Sequence, residues 1–271
     1  MYYPDCHMHS AVSPDSSAPR HVMAQAALEA GLREICFTDH FDLIDFDGNY
    51  SPDYDWTNAR REHRRALEAW GDRIAIRYGV EVGNVPTDFA AADRGLSEPG
   101  LDFVLCSVHN LSLASDGVDF YAVSYDSPAL CYAHLDEYFE LMRQSVEWGG
   151  FDVLAHIPYP LRYMRERDGQ RVGLARYEEL LRHILRRAVE TGKGIEVNTK
   201  GWSNATQADY IWLVQTYRAL GGEIVTVGSD AHEPETVGRR IPETCRLLRE
   251  LGLQYVAIYR ARQPHFIPLE D

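Results

Sequence analysis

Short runs of apolar and β-branched residues recur along the chain, and longer stretches between them return apolar residues at intervals of three and four. The first pattern predicts strands covered on both faces. The second predicts helices that bury one stripe and leave the rest in water. Strands are predicted over residues 2–6, 34–38, 74–82, 101–107, 151–155, 194–198 and 223–228, with 254–259 as a further candidate. Helices are predicted over 20–30, 58–70, 128–148, 175–191, 208–220 and 235–251. Gly31, Gly71, Gly149, Gly192, Gly221 and Gly252 stand where those helices should stop. Alternation of this kind is the signature of β-α units around a mostly parallel sheet, and seven such units predict a closed or nearly closed barrel. No linker or low-complexity tract interrupts it, so residues 1–271 are expected to form a single domain. The longest irregular stretches, 42–56 and 112–127, both follow predicted strand ends, where long loops are often functional.

Charge and cysteine usage narrow the function. A formal net charge of −14 argues against a surface that tracks nucleic acid, which needs a basic stripe. Part of the negative excess is available to bind cations. Five cysteines without CxxC spacing, Cys6, Cys36, Cys106, Cys131 and Cys245, predict buried free thiols rather than disulfides or a cysteine-zinc site. No apolar run approaches the roughly 20 residues of a membrane span and no signal-like segment opens the chain, so a cytoplasmic protein without membrane partners is expected.

The metal-capable side chains fall at the carboxyl ends of successive strands. His7 and His9 follow the first, Asp39 and His40 the second, Glu81 closes the third, and His109 follows the fourth. His156 closes the fifth, and Asp230 and His232 follow the seventh. In a parallel β/α barrel these ends open on one face, so residues far apart in sequence meet. Residues two apart on an extended segment point the same way, which lets His7 share a cavity with His9, and Asp230 with His232. Imidazole nitrogen and carboxylate oxygen without thiolate suit zinc, manganese or iron, and so many ligands exceed the needs of one ion. Two or three divalent ions are therefore expected, an arrangement that activates water and neutralises phosphoryl oxygens. His21, His63, His134 and His183 lie on predicted helices and His265 lies in the tail, so these are read as structural or surface residues.

Taken in order, His7-Met-His9, Thr38-Asp39-His40, Gly79-Val-Glu81, Ser107-Val-His109, His156 and Gly228-Ser-Asp230-Ala-His232 resemble the successive motifs of the PHP (polymerase and histidinol phosphatase) superfamily. Ser13-Pro-Asp15-Ser16, Glu196-Val-Asn198-Thr199 and His232-Glu-Pro-Glu235 resemble its histidinol-phosphatase branch, and the match spans nearly the whole chain. The resemblance implies a distorted (β/α)7 barrel of TIM-like type, with a trinuclear site built from His7, His9, Asp15, His40, Glu81, His109, His156, Asp230 and His232. By the same analogy His7, His9, Glu81 and Asp230 hold one ion, and Glu81, His109 and His156 a second. Asp15, His40 and His232 hold the third. His40, Asp230 and His232 are also implied in catalysis.

Phosphate needs cations beyond the metals. Arg162, six residues after His156, can reach the same mouth with a guanidinium fork, and Lys200 just after the sixth strand is a second candidate. Pro158 stands where many members of the branch carry an acidic residue. Arg165 and Arg167 read as solvated loop charges. The implied reaction is metal-dependent hydrolysis of a small phosphate monoester, with L-histidinol phosphate as the leading substrate. A nucleotide or other small phosphomonoester is the alternative, and a non-catalytic metal-binding domain is the reading from another class. Asp42, Asp45 and Asp47 are available to an ammonium group, but a solvated acidic loop is the preferred reading of all three.

Overall fold

The computed structural model describes residues 2–201 and 206–270. Seven parallel strands form the central sheet in the order β1 (Pro4–Met8), β2 (Glu34–Phe37), β4 (Ala75–Gly83), β5 (Phe103–Ser107), β6 (Val153–Leu154), β7 (Gly194–Asn198) and β8 (Val225–Gly228). A short strand β3 (His40–Asp42) pairs with the distal half of β4, where β2 has ended. Beyond β8 the chain returns to β1, with Asp230 N–H donating to the His7 carbonyl at 2.7 Å and His9 N–H to that of Ala231 at 2.8 Å. The sheet is thus nearly closed into the expected (β/α)7 barrel.

Helices α1 (Arg20–Glu29), α2 (Trp56–Trp70), α3 (Phe89–Gly95), α4 (Pro128–Trp148), α5 (Tyr159–Arg162), α6 (Glu178–Glu190), α7 (Gln207–Ala219) and α8 (Ile241–Glu250) form the outer layer. Local chemistry fixes several boundaries. The Asp55 carboxylate accepts from Asn58 N–H at the start of α2, and the Ser127 hydroxyl from Leu130 N–H at the start of α4. Gly149 ends α4 in the left-handed conformation at φ 70°. In α6 the buried positions Leu181, Ile184, Leu185 and Ala188 trace the stripe that faces the sheet. Each large side chain of that kind contributes about 1.5–3 kcal/mol on full burial.

Several expectations shift. The first strand runs over Pro4–Met8 rather than 2–6, because the polar His7 belongs to it. β3 and α3 lie outside the predicted elements, and α8 begins at Ile241 rather than 235. The candidate strand at 254–259 is β9 (Tyr255–Arg260), which leaves the barrel and pairs antiparallel with β10 (Gln263–Pro268), the strand that carries His265. Its Ile258 and Tyr259 pack with Cys6, Cys36, Phe103, Leu105, Val153 and Ala155, so the ribbon plugs the amino-terminal end of the barrel. Arg260 ties that ribbon to Glu34 at 2.9 Å and Arg262 ties it to Asp152 at 2.5 Å. All five cysteines are free and buried, as expected. Among the described residues no helix is long and apolar enough to cross a membrane.

Candidate metal centre

The opposite end of the barrel is polar. His7 within β1 and His9 just beyond it project to one side, and their Nε2 atoms lie 3.0 Å apart. Glu81, two residues before the end of β4, stands at the middle of the cavity with no exposure to solvent. Its Oε2 lies 3.2 Å from His7 Nε2, 3.5 Å from His9 Nε2 and 3.1 Å from His40 Nδ1. Its Oε1 faces the other way, 2.9 Å from His156 Nε2 and 3.3 Å from His109 Nε2. One carboxylate therefore joins two groups of imidazoles. Asp230 closes the first group, with Oδ1 3.5 Å from His9 Nε2 and 3.9 Å from His7 Nε2. Asp15 Oδ2, at the rim, lies 2.9 Å from His232 Nε2 and 3.6 Å from His40 Nε2. The nine residues singled out as ligands converge on one cavity, but the donor groups within reach of one another overlap rather than divide into three: His9 lies with His40 and His232 as well as with His7 and Asp230, and His109 lies with His40 and Asp42.

Backbone geometry makes room for this crowding. A side chain on Gly228 would begin 2.3 Å from His7 Cβ, and one on Gly83 would overlap the Asp42 carboxylate at 1.7 Å. Asp230 holds a left-handed backbone at φ 52°, a strained conformation for a residue with a side chain. The sheet contacts on either side hold it there.

The outer ring atoms of several histidines are tied down. His7 Nδ1 meets Glu196 Oε1 at 2.7 Å, His9 Nδ1 meets Ser13 Oγ at 3.0 Å, and His109 Nδ1 meets Asp42 Oδ1 at 3.1 Å. A carboxylate only accepts, so Nδ1 of His7 and of His109 carries the proton, and each Nε2 turns a lone pair inward. In His7 that lone pair meets the Glu81 carboxylate and a second imidazole, a clash relieved only by a proton or a cation between them. Burial opposes charge on His7, but Glu196, Glu81 and Asp230 raise its pKa well above the ordinary imidazole value. His9 goes the other way, its pKa lowered by burial and by His232 and His40. Protons cannot satisfy the whole array. Burial would raise the Glu81 carboxyl, yet His7, His109 and His40 hold it well below the carboxylate range. Nitrogen and oxygen donors of His9, His40 and His232, of His7, His9 and Asp230, and of His7, Glu81 and His156 lie within 4.8 Å of one another in each group, which fits divalent metal ions.

Several residues take supporting roles other than those the sequence suggested. Asp42, read as a solvated loop charge, instead lies against His109 Nδ1 and 3.5 Å from His40 Nδ1, and it joins His40 and His109 in a further metal-capable group. β3 forms because β2 stops, and that short strand turns Asp42 inward. Asp39 sits in a buried ion pair with Arg20 at 2.7 Å and accepts from the Ser10 and Ser13 hydroxyls at 2.9 Å. It thereby sets the hydroxyl that meets His9. Asn84 Oδ1 accepts from His109 N–H at 2.9 Å. Glu196, which the sequence offered only as part of a motif, also accepts from His156 N–H at 2.8 Å.

The candidate phosphate cations stand at the rim. Arg162, at the end of α5, donates to the Tyr163 hydroxyl at 2.5 Å, stacks on the Tyr159 and Tyr163 rings, and has no carboxylate partner among the described residues. Lys200 Nζ lies 3.3 Å from Asp230 Oδ1 and 3.1 Å from His232 Nδ1. Arg165 is not a solvated charge but pairs with Asp209, whereas Arg167 is exposed as expected and also pairs with Asp168 and donates to the Tyr121 and Val123 carbonyls. They fasten the segment after α5. His21, His63, His134 and His183 lie on α1, α2, α4 and α6, away from the centre.

Known proteins match this arrangement. The chain is 28% identical to the histidinol-phosphatase of Lactococcus lactis subsp. lactis over 94% of its own length and 93% of that protein. It is 26% identical to the probable histidinol-phosphatase of Thermotoga maritima, with 94% of each covered. The crystal structure of histidinol phosphate phosphatase from Lactococcus lactis subsp. lactis, in complex with zinc, L-histidinol and phosphate, superposes with a TM-score of 0.81 at 26% identity, over 97% of this chain and 98% of that one. The model of the PHP domain matches residues 5–200. With its nearly closed barrel and its histidine-carboxylate centre at the expected end, the chain belongs to the PHP domain family.

Proposed function

We propose that this protein is a metal-dependent phosphatase that hydrolyses L-histidinol phosphate to L-histidinol and phosphate. The observation that carries the reading is Glu81, whose two oxygens each face a different group of imidazoles in one buried cavity with Arg162 and Lys200 at its rim. The Lactococcus lactis structure, solved with zinc, L-histidinol and phosphate, supports the substrate and the metal class.

Two or three divalent ions, zinc, manganese or iron, are assigned to His7, His9, Glu81 and Asp230, to Glu81, His109 and His156, and to Asp15, His40 and His232. Bound there, they supply an activated water and Lewis-acid charge for phosphoryl oxygens. The chain supplies the rest. Arg162 presents a guanidinium fork to two phosphate oxygens, and the stacked tyrosines fix its plane before substrate arrives. Lys200 Nζ adds a second point charge above Asp230 and His232. His232 Nδ1 lies 3.0 Å from the Asp230 carbonyl, and donation there leaves Nε2 facing Asp15 and the cavity. His40, Asp230 and His232, which ring the open side, are assigned to the reacting groups. Buried walls of His7, His9 and Glu81 keep bulk water from the inner side, which strengthens every charge interaction there.

The test is phosphate release from L-histidinol phosphate, p-nitrophenyl phosphate and a nucleoside monophosphate by zinc-, manganese- or iron-reconstituted protein, beside a chelator-treated control. A kcat/KM of about 10⁴ M⁻¹s⁻¹ or more for L-histidinol phosphate alone is the expected result. Equal, weak hydrolysis of all three would discard the substrate and keep the chemistry. No release under any metal would discard both.

A further inference from the structure

Of the acidic residues at the carboxyl end of the barrel, most already have work. Asp15, Glu81 and Asp230 face imidazoles, Asp42 is shared by His40 and His109, and Glu196 holds His7 and the His156 backbone. Asp45 accepts from the N–H groups of Asp47 and Asn49 and shapes its own turn. Asp168 and Asp209 pair with Arg167 and Arg165. Asp119 differs: its described partners are Tyr121 N–H, donating to Oδ1 at 2.7 Å, and the Tyr159 hydroxyl, 3.4 Å from the same oxygen. Among the described residues no lysine, arginine or histidine lies within ion-pair distance of it.

Its position is built rather than incidental. After His109 the loop doubles back, Phe120 N–H donates to the His109 carbonyl at 2.9 Å, and Asn110 bridges to Asp119. Asn110 Nδ2 then clamps the carbonyls of Asp45 and Gly117 at 3.1 and 2.9 Å, which joins the two long loops at the mouth. The Tyr159 ring, whose hydroxyl reaches Asp119, lies 5.0 Å from the His156 ring and 5.4 Å from that of His109. A half-buried carboxylate whose hydrogen-bond partners are neutral, one ring away from the centre, is open to a cation that is not part of the protein.

We propose that Asp119 binds the ammonium group of the substrate and so selects phosphate monoesters that carry a protonated amine on the carbon next to the ester carbon. This rests on the function proposed above, where L-histidinol phosphate has that amine. Asp119 takes the role that the sequence left open to Asp42, Asp45 and Asp47, each of which the fold employs elsewhere or leaves on an exposed turn.

The experiment compares L-histidinol phosphate with the same molecule lacking the amine, 3-(imidazol-4-yl)propyl phosphate, in metal-reconstituted wild type, Asp119→Asn and Asp119→Glu. Asparagine still accepts the Tyr121 N–H, so the loop is expected to keep its shape. The wild-type preference in kcat/KM for the amine-bearing substrate should fall about 10- to 100-fold in Asp119→Asn, mostly through KM, the size of a lost charge-assisted hydrogen bond. Asp119→Glu should recover part of it. L-Histidinol should lose affinity as a competitive inhibitor by a similar factor, whereas inorganic phosphate should not. An unchanged preference in Asp119→Asn, or a parallel loss for both substrates and for phosphate, would overturn the assignment of Asp119 alone. A wild type that does not favour L-histidinol phosphate over p-nitrophenyl phosphate would overturn the proposed function and this inference with it.

Discussion

At the amino-terminal end of the barrel Cys6, Cys36, Phe103, Leu105, Val153 and Ala155 meet Ile258 and Tyr259 from the ribbon in a packed apolar cluster. One or two residues further along some of the same strands, His7, Ser107 and His156 line a cavity of imidazoles and carboxylates. Charges at the apolar end are matched within the protein: Glu34 with Arg77 and Arg260, Asp152 with Arg262. Those at the polar end include lone pairs turned toward one another. Where the chain completes its own packing it contributes stability, and where it leaves donors facing each other it waits for a ligand. The strand supplies both because its direction separates the two ends by a few residues.

If the two ends are independent, substitutions should separate activity from stability. Glu81→Ala should reduce phosphatase turnover to background and strip metal from the protein, as read by kinetics and elemental analysis, while the circular dichroism spectrum stays that of the folded chain. Wild-type activity in this variant would detach the centre from the reaction. At the other end, Phe103→Ala should cost about 3–5 kcal/mol in urea unfolding and leave kcat of the folded fraction intact. A fall in kcat at full occupancy would show that the plug also shapes the site.

Metal removal probes one end selectively. Added metal at about 100 times its dissociation constant should stabilise wild type by about 2.7 kcal/mol, and should do the same for Phe103→Ala but not for Glu81→Ala. Thermal melts with and without chelator read this difference. Glu196→Gln should weaken metal affinity by about 10- to 100-fold through the loosened His7, with turnover restored by excess metal. Failure of excess metal to rescue it would give Glu196 a direct part in the chemistry.

The smallest effect is expected at the ribbon's ion pair. Burial would raise the Glu34 carboxyl, but Arg260, Tyr2 and Arg77 lower it beneath its ordinary value of 4.5. A lowered carboxylate favours the folded state above 4.5 and loses that contribution as pH falls through the folded-state value. Arg260→Ala should therefore cost less than about 1 kcal/mol at neutral pH, because the guanidinium is partly exposed, and the gap to wild type should narrow below pH 4.5. A gap that widens in acid would mean that Arg260 acts through packing instead.

Period and punctuation made most of the barrel legible. α4 runs over Pro128–Trp148, as expected from its helical spacing, and β7 over Gly194–Asn198. The apolar run over 2–6 predicts a strand that begins and ends too early, because a strand entering a polar site carries its functional residue inside it, as β1 carries His7. The ribbon was half legible: residues 254–259 have strand character, but no local feature distinguishes an eighth barrel strand from a plug.

Histidines and carboxylates at successive strand ends were enough to name eight of the nine candidate ligands, because strand direction in a parallel barrel sends all those ends to one face. Asp15 enters only through the family resemblance, and Asp39, equally placed at a strand end, pairs with Arg20 instead. Side-chain partners were not legible in the same way. Asp42 and Asp47 look alike in sequence, yet β3 pairs with β4 and turns the first toward His109, while the second stays on an exposed turn. Arg162 and Arg165 are equally basic, and only the fold sets Asp209 beside the second and leaves the first among tyrosines at the cavity mouth. Sequence alone determined which chemistry is present and at which end of the barrel it collects, since both follow from residue type and strand period. Tertiary structure decided which of those charges are already neutralised and which remain open to metal and substrate, because neutralisation depends on contacts between segments that no local pattern encodes.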